Sequence, residues 1–154
     1  MSDSITIAVE SLEAVVEESR PLLQDHWEEI ALNKDKIKLE PDWPVYFALA
    51  SEGRLGLYTA RDEGKLVGYF VVTVSQHPHY AKNIFAENDV VFLKKEYRKT
   101  GVGAMMIRFA EQDLRKKGVS VLSINTKVHQ PFDSLMEALD FSLIERKYSK
   151  YIGD

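Results

Sequence analysis

The sequence predicts a mixed α/β fold built on one central sheet. Runs of alternating or continuous apolar residues predict strands, and other segments carry apolar residues at helical spacing. These segments follow one another in the order strand, two helices, three strands, helix, strand, helix, strand. Within residues 84–125 the order strand, turn, helix, strand places two parallel strands side by side. An earlier pair of strands is joined by a tight turn and is therefore antiparallel, so the sheet is mixed.

The first part of the chain is predicted to contain one strand and two helices. Ile5–Val9 alternates in hydrophobicity and predicts a strand. Ser11 is positioned to cap the first helix. Since a proline is tolerated in the first turn of a helix but not in its interior, Pro21 predicts a break in the helical pattern. A second helix is therefore predicted to be capped by Ser19 and to continue to about Leu32.

The middle of the chain is predicted to supply a loop and three strands. Residues 33–45 are charged and contain two prolines, which predicts a loop or lid. Residues 55–61 and 65–75 predict two strands joined by the tight turn at residues 62–64. The apolar run in residues 84–94 predicts a central strand.

The last third is predicted to complete the sheet. Residues 101–117 have apolar residues at helical spacing, and Gly118 supplies a helix end. Residues 119–125 predict a strand, residues 132–139 a short helix, and residues 141–152 a final strand.

Composition excludes several classes of protein. The chain has 154 residues and no cysteine, which removes disulfides, thiolate nucleophiles and cysteine-ligated zinc. A net charge of −4 argues against a nucleic-acid partner. No apolar run reaches the roughly 18 residues of a membrane span, and the N-terminus lacks the pattern of a signal peptide. We therefore expect a single cytoplasmic domain over residues 1–154, with no nucleic-acid or membrane partner.

Two histidines flank a proline at His77 and His79, a pattern that raises the question of a metal site. No carboxylate or cysteine accompanies them at ligand spacing. We therefore expect no metal.

The stretch YRKTGVG, residues 97–103, lies between an apolar run and a helical pattern. The first amides of a helix lack intrahelical partners and carry the positive end of its dipole. Glycines allow close approach to that backbone, so the turn is suited to an anion, most often phosphate. The alternative is an ordinary helix start with Thr100 as N-cap.

The motif Arg98-x-x-Gly101-x-Gly103, placed between an apolar strand and an amphipathic helix, resembles the phosphate-binding signature of the GNAT N-acetyltransferases. The order of elements resembles that family over nearly the whole chain, as in its small bacterial or phage-type members. The resemblance implies the GNAT fold, an α+β arrangement. Its mixed sheet would have about six to seven strands, flanked by about four helices, with a splayed central strand pair. It also implies acetyl-CoA as cosubstrate.

The resemblance implies the cofactor contacts. Backbone groups of the turn would hold the pyrophosphate of the cofactor, and the end of the preceding strand would bind the pantetheine amides. Asn125 would lie near the opening between the splayed strands. The residues of the turn are Arg98, Lys99, Thr100, Gly101, Val102 and Gly103, and those of the strand are Phe92, Leu93 and Lys94.

Glu87 and Asp89 are the candidates for the general base that deprotonates an amine. Strand alternation places both on one face with Val91 and Leu93. Several GNAT members keep a glutamate base where Glu87 stands. The alternative is that both are solvated acids.

A general acid for the leaving thiolate is harder to find. Many family members have a tyrosine at the place that Met136 occupies here, and methionine cannot donate a proton. Tyr148 and Tyr151 are substitutes if they reach the site, and otherwise are ordinary strand aromatics. His129 is another candidate, because its unperturbed pKa near 6.5 suits proton transfer, and is otherwise a surface residue. The thiolate can also leave without an acid.

In this family the first helices and the loop between them shape the acceptor site. Trp27, Glu28, Glu29 and Tyr46 are the candidates there, since carboxylates beside aromatic rings suit a cationic, partly apolar amine. The alternative is that the aromatic residues are core and the acids solvated.

Two functions remain open at this stage. One is an N-acetyltransferase that acts on a primary amine of an unidentified small molecule, protein or peptide. The other is a non-catalytic module of the same fold that binds CoA or a protein. A homodimer is expected from the family resemblance, since an exposed edge strand invites pairing.

Overall fold

The structure, a computed structural model, describes residues 4–154. Within them five strands form one sheet in the order β1-β2-β3-β4-β5. Neighbouring strands are antiparallel except β4 and β5, which are parallel. The strands are β1 (Ile5–Val9), β2 (Leu55–Asp62), β3 (Lys65–His77), β4 (Tyr80–Leu93) and β5 (Val119–Ser123). This mixed sheet confirms the predicted α+β fold.

Four α-helices cover the two faces of the sheet within the described part of the chain. The first two pack on one face, where Leu12, Val15 and Leu22 join the buried residues of β2 and β3. The last two pack on the other face with the second apolar cluster. The helices are α1 (Leu12–Ile30), α2 (Trp43–Ser51), α3 (Val102–Lys116) and α4 (Asp133–Ala138), and a short 3₁₀ turn spans Lys95–Tyr97.

The predicted break before Pro21 is wrong, because α1 runs without interruption from Leu12 to Ile30 with the proline inside it. Ser19 does not cap a helix, since its hydroxyl donates to the carbonyl of Val16. A helix interior proline removes one hydrogen bond and crowds the preceding turn. Here one apolar face is buried on the sheet on both sides of the proline, and that packing keeps the helix continuous.

The segment predicted as a loop or lid at residues 33–45 contains the start of a second helix. The side chain of Asp42 accepts a hydrogen bond from the amide of Val45 at 3.2 Å and caps α2. Pro44 lies in the first turn of α2, where a proline is tolerated because that amide has no intrahelical acceptor. The proline that predicted a loop therefore marks a helix start.

The predicted strand at residues 141–152 does not form. No helix or strand of the described chain follows Ala138, and several apolar side chains of that segment are exposed. The sheet accordingly has five strands within residues 4–154 rather than six to seven. β5 is an edge strand because the segment that would extend the sheet does not pair with it.

Candidate active site

The parallel strands β4 and β5 separate partway along their length. Their pairing ends at Glu87 and Ser123. Beyond that point the Asn88 side chain accepts a hydrogen bond from the Asn125 amide at 2.6 Å, and residue 88 and residues 90–93 pair with β3 alone. The predicted splay is therefore present, and it leaves one edge of β4 open to a ligand that can hydrogen-bond to a strand.

A β-bulge lies where the strands separate. Val71 pairs with Val90, but the next residue of β3, Val72, pairs with Asn88, so Asp89 is an extra residue in β4. The Asp89 carboxylate accepts a hydrogen bond from the Tyr46 hydroxyl at 2.6 Å. The bulge therefore aims an acid toward α2, at the end of the gap between β4 and β5.

The bulge also corrects the predicted alternation along β4. Glu87 lies opposite Thr73, on the face that carries Asp89. Val91 and Leu93 do not share that face, since they pack against the core beneath α3. An extra residue reverses the face of every residue that follows it in the strand. A bulge is defined by the register with the neighbouring strand, so the sequence of β4 alone does not reveal it.

The backbone of the turn before α3 is bent to leave helix amides uncovered. Lys99 and Gly101 both have positive φ angles, of 61° and 93°. The first intrahelical bond is donated by Met105 to the Gly101 carbonyl at 3.0 Å. The amides of residues 102–104 therefore have no acceptor within the helix, which is the geometry of an anion site.

Thr100 is not the N-cap of this helix. Its hydroxyl donates to the Tyr97 carbonyl, and Gly101, which has no side chain, occupies the cap position. A Cβ atom added at Gly103 would lie 3.7 Å from Leu135 and 3.9 Å from Leu93, which are ordinary contacts. Packing therefore does not require glycine at residue 103.

Arg98 is held by protein groups. Its guanidinium makes two hydrogen bonds to the Glu29 carboxylate, at 3.0 and 2.9 Å, and its Nε donates to the Leu93 carbonyl at 2.7 Å. The hydrogen bond from Arg98 lowers the pKa of Glu29. The family resemblance implies a role for the Arg98 backbone at the pyrophosphate, and its side chain ties the turn to α1 through Glu29.

The open edge of β4 offers fewer backbone groups than expected. The Lys94 amide donates to the Val67 carbonyl at 2.9 Å, so it points toward β3. Because successive residues of a strand direct their amides to alternate edges, Phe92 also points toward β3. Leu93, and Val91 two residues before it, direct their backbone toward the gap.

A cavity of about 380 Å³ lies between α1, α2 and the sheet. Trp27, Tyr46 and Asp89 all line it. Neither of the two glutamates predicted at the acceptor site lines this cavity. Glu28 is exposed and accepts from Gln24 at 2.9 Å, and Glu29 pairs with Arg98 as described. The structure thus brings together part of the predicted acceptor site and one of the two predicted bases.

Two residues of this cavity were not among the predicted site residues. Tyr69 is 3% exposed, and its hydroxyl has no hydrogen-bond partner among the described residues. Burial raises the pKa of this phenol, and Tyr46, Asp25 and Asp89 raise it further. A tyrosine in a continuous apolar run of the sequence is the signal that would have singled it out.

His26 is the second such residue. Its ring centroid lies 5.2 Å from that of Phe92, and burial lowers its pKa, so the imidazole is neutral at pH 7. Its sequence signal is a histidine on the apolar face of a helix, a pattern that ordinary core histidines share.

The candidate acids lie elsewhere. Tyr148 is 88% exposed, and His129 is an exposed residue of the turn bridged by Lys127 and Gln130. Met136, at the place of the usual tyrosine, is buried in the core beneath α3. None of these side chains lines the cavity.

Residues 4–154 contain neither a metal-binding cluster nor a membrane-spanning helix. No group of three or more histidine, aspartate or glutamate side chains there is arranged to hold a metal ion. No helix of this part is long and apolar enough to cross a bilayer.

Comparison with known proteins places this geometry in a family. The model of the acetyltransferase (GNAT) family matches residues 13–134. No curated protein sequence matches significantly. An aminoglycoside acetyltransferase from an uncultured soil metagenomic sample, in complex with sisomicin, superposes with a TM-score of 0.77 at 14% identity, over 98% of this chain and 97% of that one.

Two other solved structures are similar. The ribosomal-protein-alanine N-acetyltransferase of Brucella melitensis biovar Abortus 2308 has a TM-score of 0.72 and 21% identity, over 97% of this chain and 99% of its own. AAC(6')-Iy in complex with a CoA-containing bisubstrate analogue has a TM-score of 0.70 and 15% identity, with the same coverage. At these identities the likeness is one of fold. Together with the splayed strands and the family match, it shows that this chain belongs to the GNAT acetyltransferase family, whose members use acetyl-CoA.

Proposed function

We propose that this acetyl-CoA-dependent N-acetyltransferase acetylates a primary amine bound in the cavity between α1, α2 and the sheet. One observation carries the proposal: the bulge that places Asp89 in the cavity lies where β4 and β5 separate. A thioester held in the gap and an amine held in the cavity would meet at this bulge. The family match supports the enzyme class, and the cavity supports the location of the acceptor.

The turn before α3 would hold the cosubstrate. The free amides of residues 102–104 supply donors for the pyrophosphate, and the positive φ angles at Lys99 and Gly101 keep these amides facing outward. The backbone of Val91 and the amide of Leu93 would bind the pantetheine arm at the open edge of β4, since the Leu93 carbonyl already accepts from Arg98. Asn125 would lie beside this arm, since its amide is held by Asn88 at the gap.

Acetyl transfer needs a neutral amine. An alkyl ammonium has a pKa of about 10.4 and is almost wholly protonated at neutral pH. Asp89 would bind this ammonium and take its proton, directly or through water. The amine lone pair then attacks the thioester carbonyl, a C–N bond forms, the C–S bond breaks, and CoA leaves as thiolate. Glu87, on the same face but outside the cavity, is the second candidate for the base.

No protein acid is assigned to the thiolate. Met136 is buried in the core, and Tyr148 and His129 lie outside the cavity. A thiol has a pKa of about 8.5, so the thiolate is a stable leaving group near neutral pH without a proton donor.

Thermal unfolding with acetyl-CoA tests the cosubstrate site. A ligand that binds only the folded protein stabilises it by about 2.7 kcal/mol at a hundredfold excess over Kd. We expect a shift with acetyl-CoA and with CoA, and none with ATP or NAD as controls. No shift at millimolar acetyl-CoA would contradict the proposal. A shift without transfer to any amine would favour the non-catalytic CoA-binding module instead.

A further inference from the structure

The cavity also indicates what kind of amine it accepts. Resting on the function proposed above, we propose that the acceptor is a small primary monoamine carried on an apolar body. In this arrangement Asp89 and the Tyr69 hydroxyl hold the nitrogen, and the apolar wall holds the body. Amines with several positive charges, such as aminoglycosides and polyamines, are excluded.

The wall of the cavity is mainly apolar. Its volume of about 380 Å³ is near the lower end for small-molecule sites. Aliphatic and aromatic side chains come from both helices, the loop before α2 and the sheet. They include Leu23, Trp27, Ile30, Leu39, Trp43 and Val71. An apolar ligand body would be stabilised by leaving water here.

The charges of the cavity fit one ammonium group. Among the charged residues that line it are two carboxylates, Asp89 and Glu40, and one lysine, Lys38, so the formal charge of the lining is negative by one. His26 contributes no charge, because burial lowers its pKa. A second or third ammonium would give the occupied cavity a net positive charge beside a mainly apolar wall, which is unfavourable.

The aromatic rings do not form a cage for a cation. The Arg20 guanidinium carbon lies 5.1 Å from the centroid of the Trp43 ring, and the Lys34 Nζ lies 5.7 Å from that of Trp27. Both rings thus already have a protein cation within cation–π range. The two tryptophan rings therefore contribute apolar surface to the cavity wall.

The buried hydroxyl of Tyr69 indicates that a polar group of the ligand reaches the interior of the cavity. A buried hydroxyl without a partner is unfavourable, and native proteins rarely contain one. The Tyr69 hydroxyl is such a group. Its side chain lines the cavity and is only 3% exposed. Tyr69, Tyr46 and Asp89 all line this cavity, and the Tyr46 hydroxyl donates to the Asp89 carboxylate at 2.6 Å. An amine held by Asp89 can donate to the Tyr69 oxygen.

A matched pair of amines tests the preference. Hexylamine and 1,6-diaminohexane have the same length and differ in one charge. Each is titrated calorimetrically into the full chain saturated with CoA, which cannot react. We expect hexylamine to bind at least about tenfold more tightly, because the second ammonium would give the occupied cavity a net positive charge. With acetyl-CoA, thiol release should show the same order in kcat/KM, and kanamycin and spermidine should be poor acceptors.

A matched pair of variants tests the hydroxyl. Tyr69→Phe removes a group that has no protein partner, so the thermal midpoint should stay the same or rise. The KM for hexylamine should increase by about three- to tenfold with little change in kcat. Tyr58→Phe is the control, because that buried hydroxyl bonds Asp113 at 2.8 Å on the opposite face. It should lower the midpoint and leave KM unchanged.

The outcomes separate the two proposals. Equal or tighter binding of 1,6-diaminohexane, or efficient acetylation of kanamycin or spermidine, overturns the monoamine inference and leaves the acetyltransferase intact. An unchanged KM in Tyr69→Phe overturns the role of its hydroxyl. If acetyl-CoA neither stabilises the protein nor acetylates any amine, the proposed function fails. Calorimetry with the two amines on the protein alone then still decides the preference of the cavity.

Discussion

At the scale of single residues, Asp89 has the most defined position in the proposed chemistry. It is the extra residue of a bulge, it accepts a hydrogen bond from Tyr46, and it lines the cavity. Glu87 shares its face of the strand but not the cavity. Both acids are exposed, so what distinguishes Asp89 is that its side chain lines the cavity where an acceptor would bind.

Replacing Asp89 by Asn tests this assignment. The amide keeps the size of the side chain but cannot take a proton, so kcat should fall roughly 10²–10⁴-fold. The stabilisation by acetyl-CoA should be unchanged, since the cosubstrate turn is untouched. Glu87→Gln is the control and should keep kcat within about threefold. The reverse order of the two variants in a steady-state assay would move the role of base to Glu87.

His26 predicts a pH dependence of stability. Burial lowers its pKa in the folded protein below the unfolded value of about 6.5. The unfolded chain therefore binds a proton first, and stability falls as the pH drops from about 6.5 toward 5. Carboxylates such as Glu29 also have lowered pKa values, but their losses begin below this window. In urea titrations, His26→Gln should flatten the slope between pH 6.5 and 5, and an unaltered slope would contradict the assignment.

At the scale of elements, α1 shows packing overriding a local signal. The proline in its interior is exposed, while Leu12, Val15 and Leu22 are buried on the sheet. The helix persists because each side of the proline is anchored through the same face. The cost of the proline should nevertheless be measurable.

Pro21→Ala should therefore stabilise the protein. Alanine restores a backbone donor in the helix interior and removes the clash with the preceding turn, for a gain of about 1–3 kcal/mol in the free energy of unfolding. Gln24→Ala, also exposed on α1, is the control and should change stability by no more than about 0.5 kcal/mol. Chemical denaturation of the three proteins gives the comparison. A destabilised Pro21→Ala would show that the proline shapes α1 to fit the sheet.

At the scale of the whole molecule, the unpaired edge of β5 and the exposed C-terminal segment both indicate an association between two copies of the chain. β5 is an edge strand, and Val121 on it is exposed. The segment after α4 leaves Leu143 and Ile144 exposed, and its Tyr151 ring lies 4.6 Å from the Lys36 Nζ. We propose that this segment pairs with the β5 edge of a second copy, since unpaired edges and exposed apolar side chains both favour association.

Light scattering after size exclusion tests the pairing. The chain mass is 17.6 kDa, and we expect the measured mass to be about twice this value. Ile144→Lys should shift the protein toward the monomer, because a lysine would enter the new apolar contact. Val128→Lys is the control, since that residue is 96% exposed and lies outside both β5 and the segment. A monomeric wild-type protein at micromolar concentration would refute the dimer.

Much of the fold could be predicted because its signals are local. The turn at residues 97–103, the amphipathic pattern of α3 and the order of elements were sufficient to predict the family and its cosubstrate. The anion-binding turn needs only a strand end, glycine and the first amides of a helix, all contiguous in sequence. The Asp42 cap of α2 is an equally local signal, but the two prolines beside it, Pro41 and Pro44, favour a loop in the sequence.

The sequence by itself determined the five strands that form, the amphipathic helix α3 and the turn that suits a pyrophosphate, because these depend on neighbouring residues. The tertiary structure decided which acid enters the cavity, because a bulge depends on the register with another strand. It also paired Glu29 with Arg98 across 69 positions and left the Tyr69 hydroxyl without a partner. Contacts between distant segments are chosen by packing of the whole chain, and no local pattern records them.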